Sequence, residues 1–333
     1  MSKGWLEQYK GDRKSGTLRE RGERLRHWPR PPGLGKPSNY VASPALRAAV
    51  NVALVLRQPL LLTGPPGTGK TELADSVAWE LGMELFPFRA KTTSVATDLF
   101  YRYDAMRHFH ASHFDAAARA DAQPFIEADA LGKAILLTRP EGKEAARIDP
   151  LLPEPLRGGE PRQAVVLIDE IDKAPRDFPN DLLEELRLRK FRIAETGDEF
   201  TARDAYWPVV IITSNSEKNL PDSFLRRCVF HHLDPPGATA LLKIVEARLG
   251  VAPGYREQMI RAVDWYVETR DNGGFQKPPG TSELLDWATI LKDQEIDIAD
   301  LKPGQRDILR MSHGVLAKNK DDLDLLEKRM PQG

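Results

Sequence analysis

Pro59-Leu60-Leu61-Leu62-Thr63-Gly64-Pro65-Pro66-Gly67-Thr68-Gly69-Lys70-Thr71 is the stretch that decides the fold. Its first five residues read as a short apolar strand, and Thr71–Leu81 reads as a helix. Between them, Gly64 to Thr71 spells G-x-x-x-x-G-K-[ST]. A loop that wraps a triphosphate must turn its amide N–H groups inward, and glycines permit the unusual φ values and the close backbone approach. The helix starting near Lys70 adds the positive end of its dipole. On this reading Gly64, Pro65, Pro66, Gly67, Thr68 and Gly69 cradle the phosphates of ATP. Lys70 reaches the β- and γ-phosphates as a mobile cation, and the Thr71 hydroxyl ligates Mg2+. The plain alternative is a glycine turn that matches by chance, and it leaves the flanking strand and helix without a reason.

Outward from the loop the chain alternates helices and short apolar strands. Pro44–Leu56 reads as a helix with Ser43 as its cap. Val165–Ile168 and Val209–Thr213 are continuous Val/Ile-rich runs, the pattern of central strands covered on both faces. The expectation is an α/β fold with a parallel P-loop sheet as its core. The first of these runs ends in Asp169-Glu170. Carboxylates at the C-terminal edge of such a strand lie where open α/β sheets bind ligands. Asp169 then holds Mg2+, directly or through water, and Glu170 polarises the attacking water as general base. Two adjacent acids also suit a helix N-terminus. The second run ends in Asn215, placed either to bond the γ-phosphate and the attacking water or simply to end a strand in a turn. Arg226-Arg227 follow closely. By spacing alone they read as a surface pair, whereas an arginine from a neighbouring subunit stabilises charge in phosphoryl transfer.

Three further regions complete the organisation. Residues 94–163 break the strand–helix rhythm and read as an insertion with at least one helix. After Asp234-Pro235-Pro236-Gly237 the pattern turns purely helical, with candidate helices at Ala238–Leu249, Arg256–Thr269, Ser282–Leu291 and in a charged C-terminal segment. That shift marks a smaller all-α lid domain over 236–333, against a nucleotide-binding domain over 39–235. Residues 1–38 hold ten Lys/Arg against four Asp/Glu, a local balance of +6. They form a basic arm, either a solvated tail or a contact for an acidic partner, a neighbouring subunit or nucleic acid. A net charge of −1 over 333 residues gives the whole chain no general attraction to nucleic acid or acidic lipid. The single Cys228 rules out an internal disulfide framework and suits a reducing compartment. With no apolar leader and no run long enough to cross a bilayer, a cytoplasmic setting without membrane contact is expected.

The order of Gly64–Thr71, then Val165–Ala174, then Ile211–Asn215, then Phe224–Cys228 and a helical lid resembles the AAA+ ATPases, and most of all their MoxR-like, dynein-related branch. The resemblance covers about residues 40–292. It implies a ring, usually a hexamer, with ATP between subunits. It implies Asn215 as sensor 1 beside the Walker A and B motifs, and Arg227 as the trans-acting arginine finger, with Arg226 next to it. It implies Tyr40 and Val41 near the adenine, and an extra helix within 94–163. MoxR-like proteins commonly act as chaperone-like activators with a partner bearing a von Willebrand factor A domain. One departure stands out. Leu284, in Gly280-Thr281-Ser282-Glu283-Leu284, occupies the place of the usual sensor-2 arginine, with Arg256, Arg261 or Lys277 as substitutes that the sequence leaves unplaced.

Other groups read more plainly. His108, His110 and His113, with Asp104 and Asp115, form a polar helix rather than a metal site, since separated ligands and cysteine are lacking. His231-His232 are strand residues. Cys228 is a small buried side chain, and Trp265, Tyr266, Leu284, Leu285 and Trp287 are lid core. Glu195–Glu199 reads as a hairpin turn. The leading functional expectation is a Mg2+-ATP-dependent ring ATPase that remodels a client or adaptor protein. The rivals are a nucleic-acid motor or loader, favoured by the basic arm, and a slow nucleotide-gated switch, favoured by Leu284.

Overall fold

In a computed structural model, residues 35–114, 121–216 and 220–331 are described. Most of the basic arm (residues 1–34) and Asp115 lie outside them. The chain divides into two compact units, Ala42–Asp234 and a helical unit running from Pro235 that also includes the described residues up to Val41.

The first unit opens with α1 (Pro44–Leu56), β1 (Leu60–Thr63), α2 (Lys70–Leu81) and β2 (Glu84–Arg89). β3 (Tyr101–Tyr103), α3 (Ala105–Phe114), β4 (Ile126–Ala128) and α4 (Ala130–Leu137) follow. It closes with β5 (Ala164–Asp169), α5 (Phe178–Asp181), α6 (Leu183–Leu188), β6 (Lys190–Arg192), β7 (Glu199–Thr201), β8 (Val209–Thr213), α7 (Asp222–Leu225) and β9 (Val229–His232). Five strands make one sheet in the order β2-β5-β8-β1-β9, and every pairing in it is parallel. The strands with unbroken apolar runs are the interior ones. β1, β5 and β8 are buried almost throughout, as a sheet covered on both faces requires. β2 carries Pro87 and a half-buried pattern. It pairs only with β5, and a proline is tolerated on such an edge.

Helix ends follow local chemistry. The Ser43 Oγ accepts from the Leu46 N–H at 3.1 Å and caps α1. α2 starts directly from Gly69 in the left-handed region and stops at Gly82, also left-handed. In the region 94–163, β3 and β4 pair antiparallel around α3, so the inserted stretch is a small β-α-β element followed by α4. That helix lies so close to its neighbour that a Cβ at Gly132 would stand 1.9 Å from the Phe100 carbonyl oxygen. β6 and β7 form a hairpin through Glu195–Asp198, as the sequence reading expects.

The helical unit contains α8 (Ala238–Leu249), α9 (Arg256–Asn272), α10 (Thr281–Asp293), α11 (Gln305–Leu316) and α12 (Lys320–Lys328). The charged C-terminal segment thus resolves into two helices. Its core gathers Tyr266, Leu284, Trp287, Leu291 and Leu309. The buried polar tips are satisfied: the Tyr266 hydroxyl donates to the Pro279 carbonyl at 2.6 Å, and the Trp287 indole N–H to the Ser312 hydroxyl at 3.0 Å. Among the described residues no helix is long and apolar enough to cross a membrane.

His313 is the exception in that core. It is fully buried, stacks on Trp265 at 6.0 Å, and neither ring nitrogen has a hydrogen-bond partner. Burial pushes its pKa down from 6.5 to about 4, with Glu327 opposing and Arg310 adding. The unfolded chain therefore binds the extra proton first, and folding stability falls as pH drops from about 6.5 to about 4. Replacing His313 by Phe is expected to flatten this slope by about 2–3 kcal/mol across the window. Denaturant titrations at pH 7 and pH 4.5 measure it, and equal slopes in parent and variant would contradict the account.

Candidate nucleotide site

The site is built at the C-terminal edge of the sheet, where β1 runs into the glycine loop. Gly64, Gly67 and Gly69 have φ of 137°, 75° and 86°, a run that side-chain-bearing residues resist. At Gly64 the restriction is also steric, since a Cβ would lie 2.3 Å from the Leu233 carbonyl oxygen. The Thr68 hydroxyl donates to the Pro65 carbonyl at 2.9 Å and holds the loop's far side. The buried Lys70 folds back, its ammonium donating to the carbonyls of Gly64 at 2.7 Å and Pro65 at 2.9 Å. Burial lowers the Lys70 pKa from the ordinary lysine value, while the carboxylates of Asp172, Asp169 and Glu170 pull it back up.

Asp169 is the meeting point. Its Oδ1 accepts from the Thr71 hydroxyl at 2.9 Å and from the Thr213 hydroxyl at 2.7 Å. The same Thr213 oxygen accepts the Glu170 N–H at 2.9 Å. Glu170 itself sits in the left-handed region with φ 56°, a conformation that costs a non-glycine residue energy and clusters at functional sites. Its Oε2 is gripped twice, by the Arg89 guanidinium at 2.8–2.9 Å and by the Lys173 ammonium at 2.7 Å. The Lys173 hydrogen bond holds the Glu170 carboxyl below its usual range, burial opposes it, and Arg89 adds to the lowering. Asn215, half-buried, donates its backbone N–H to Asp172 Oδ1 at 3.1 Å. Glycine loop, Lys70, Thr71, Asp169, Glu170 and Asn215 thus lie around one sheet edge.

Arg226 and Arg227 stand apart from that network. Both are exposed just past α7, and Arg227 donates to the Ser223 carbonyl at 3.1 Å. Sequence reasoning missed Thr213, Arg89, Lys173 and Asp172. Lys173 lies three residues from Glu170 and was within reach of a spacing argument. Arg89 becomes visible only through register, since it stands opposite Asp169 between β2 and β5. In the helical unit, Leu284 is fully buried in the core. Arg256 and Arg261 are paired there with Glu246 and Asp297. Among the described residues, no group of three His, Cys, Asp or Glu side chains is placed to hold a metal. His108 stacks on Phe125 at 4.6 Å and shares a 2.6 Å hydrogen bond with the Tyr103 hydroxyl. Burial pushes the Cys228 thiol up to about 12.

A parallel sheet whose first strand enters a glycine loop, with an aspartate at the end of another interior strand, one strand removed, bonded to the first turn of the following helix, defines a P-loop nucleotide-binding domain. Residues 59–228 match the AAA domain of the dynein-related subfamily, which is just over half of the chain. The chain belongs to that family. It is 34% identical over 136 residues to the ATP-dependent zinc metalloprotease FtsH 3 of Sphaerobacter thermophilus, a match covering 40% of this chain and 25% of the metalloprotease. Two solved mutants of RuvB from Thermotoga maritima are similar at 16% and 17% identity. They cover 81% and 84% of this chain and 67% and 69% of theirs, each with a TM-score of 0.43.

The Thr213 hydroxyl bonds Asp169 and the Glu170 backbone at once, so its loss strands the Glu170 N–H and leaves Asp169 Oδ1 with the Thr71 hydroxyl alone. Thr213→Val is expected to destabilise the chain by about 1–3 kcal/mol, while Thr213→Ser stays near the parent. Chemical denaturation of the three proteins measures this, and a valine variant as stable as the parent would contradict the bracing role.

Proposed function

We propose that this protein is a Mg2+-dependent ATPase of the AAA+ type that assembles into rings and remodels or activates a partner protein. The observation that carries the reading is the Thr71–Asp169 hydrogen bond at 2.9 Å beside the glycine loop. A hydroxyl and a carboxylate there are the hard oxygen donors that Mg2+ selects. When bound, the ion would be held by Thr71 and Asp169 and would neutralise charge on the β- and γ-phosphates.

The chain's own residues supply the rest. The loop from Gly64 to Gly69 wraps the phosphates, with Gly67, Thr68 and Gly69 offering backbone N–H groups that Pro65 and Pro66 lack, and Lys70 leaves its carbonyl partners to contact the β- and γ-oxygens. Glu170, once released from Arg89 and Lys173, takes the proton of the attacking water. Asn215 orients that water and the γ-phosphate, and Arg227 of an adjacent subunit stabilises charge on the transferred group, with Arg226 beside it. Ring formation, a hexamer by the MoxR-like resemblance, follows from a finger supplied in trans. The β-α-β insertion around α3 supports the MoxR-like assignment, and with it a client or an adaptor bearing a von Willebrand factor A domain. A cytoplasmic setting belongs to the same reading and rests on the lone Cys228. A slow nucleotide-gated switch is the second reading. It is favoured by Leu284, which is buried where the branch carries an arginine, and by the internal pairing of Arg256 and Arg261.

Glu170→Gln is expected to keep ATP binding and to abolish turnover in a phosphate-release assay; retained turnover would remove Glu170 as the base. Lys173→Ala tests the grip. The base works deprotonated, so activity falls as pH drops through the Glu170 pKa. Without Lys173 that pKa rises in the free protein, and the acid limb of the kcat/KM profile moves to higher pH. An unmoved limb would contradict the coupling.

A further inference from the structure

Arg227 is exposed, yet the turn that carries it is tied to the element that follows Glu170. α7 is a single turn, Asp222–Leu225, which Pro221 opens without a side-chain cap. The backbone N–H groups of Arg226, Arg227 and Cys228 go to the carbonyls of Asp222, Phe224 and Leu225 at 3.1, 3.0 and 3.2 Å. The Ser223 carbonyl is thereby left to the Arg227 guanidinium, which donates to it at 3.1 Å. The hydroxyl of the same Ser223 donates to Asn180 Oδ1 on α5 at 2.8 Å. Asn180 and Ser223 are both exposed.

α5 in turn is joined to both cations that grip Glu170. Lys173 ends the turn Ile171–Lys173, and the chain then runs through four residues into α5. Arg89 follows Phe88 on β2, and Phe88 stacks on Phe178, the first residue of α5, with ring centroids 6.1 Å apart and planes 5° from parallel. Phe178 and Phe224 are buried in one core, so each short helix is anchored by a single aromatic ring. Beside them lies a cavity of about 580 Å3, whose lining includes Pro179, Asn180, Leu220 and Pro221. Packing does not replace a lost hydrogen bond on that side. A one-turn helix held by one ring can still swing about it, and the Asn180–Ser223 bond is a second attachment that stops the swing.

We propose that Asn180 is a positioning residue for the arginine supplied in trans: through the Ser223 hydroxyl it sets the direction in which Arg227 is offered to the neighbour's site. A catalytic group keeps its productive geometry only when surrounding packing and hydrogen bonds lock it. Phosphoryl transfer depends on the placement of charge, and a misplacement of about 1 Å costs about a hundredfold in rate. The inference rests on the ring reading, with Arg227 as the finger.

The test is the ATPase activity regained when two full-length variants are mixed, with Asn180 changed in one of them at a time. Glu170→Gln supplies Arg227, and Arg227→Ala supplies the base. Asn180→Ala placed in the Glu170→Gln chain is expected to lower the regained activity about tenfold to a hundredfold, and Ser223→Ala there to do the same. Asn180→Asp, which keeps an acceptor for the Ser223 hydroxyl, is expected to stay near the unmodified mixture. Asn180→Ala placed in the Arg227→Ala chain is expected to cost nothing, because that chain has no finger to direct. Equal loss from either placement would make Asn180 a support of its own site or of the fold, and a loss with Asn180→Asp as deep as with Asn180→Ala would remove the hydrogen bond as the cause; either overturns the inference. If Glu170→Gln and Arg227→Ala regain nothing with Asn180 intact, the reading of Arg227 as a trans-acting finger falls and this inference with it. Regained activity that ignores Asn180 in the finger-supplying chain removes this inference alone.

Discussion

Asp169 Oδ1 accepts hydroxyl hydrogens from Thr71 and Thr213 at 2.9 and 2.7 Å. That oxygen joins the first turn of α2 to the ends of two adjacent central strands. Hydrogen bonds to a carboxylate each contribute about 1.5–3 kcal/mol, so the pair is a substantial constraint on where the glycine loop sits. Thr213 passes the constraint on to the Glu170 backbone. The parallel sheet makes this possible, because its interior strands β5 and β8 both end on the edge where β1 enters the loop. Loop, donor oxygens and the adjacent acid therefore share one rigid support, which is what positioning-based phosphoryl chemistry requires.

The charges around that edge are balanced rather than uniform. Lys70 is buried against its own loop carbonyls with three carboxylates pulling on it. Glu170 faces two cations. A carboxylate gripped in this way is a weak base, so the reaction proposed for this site begins with a rearrangement of side chains. Arg89, at the end of the edge strand β2, and Lys173, in the turn after β5, are the groups that must move.

Much of this was legible in the sequence because the decisive elements are spelled locally. The glycine loop fixes its own backbone, and the Val/Ile runs of β5 and β8 can only be buried strands. Ser43 marks the start of α1 by the chemistry of capping. What escaped the reading depends on register and packing. β2 has Pro87 and a mixed burial pattern because it is an edge strand, and nothing local announces that Arg89 stands opposite Asp169. Thr213 reads as the last residue of a strand until β8 is placed beside β5. The insertion's β3 and β4 are three residues each, too short for periodicity to reveal. The buried His313 looks like any polar position on an amphipathic helix until Trp265 covers it.

The proposed hydrolytic site is completed by a neighbouring subunit. Mixing two inactive variants tests it most directly. In the proposed mechanism, Glu170→Gln lacks the base in its own site but still offers Arg227 to a neighbour, while Arg227→Ala keeps its own base and offers no finger. Each alone should be silent in a steady-state ATPase assay, and the mixture should recover activity, because some sites then pair an intact Glu170 with an intact Arg227. Recovery on mixing is the result the proposed mechanism predicts. Two variants that stay silent together, or an Arg227→Ala protein that hydrolyses ATP on its own like the parent, would contradict it.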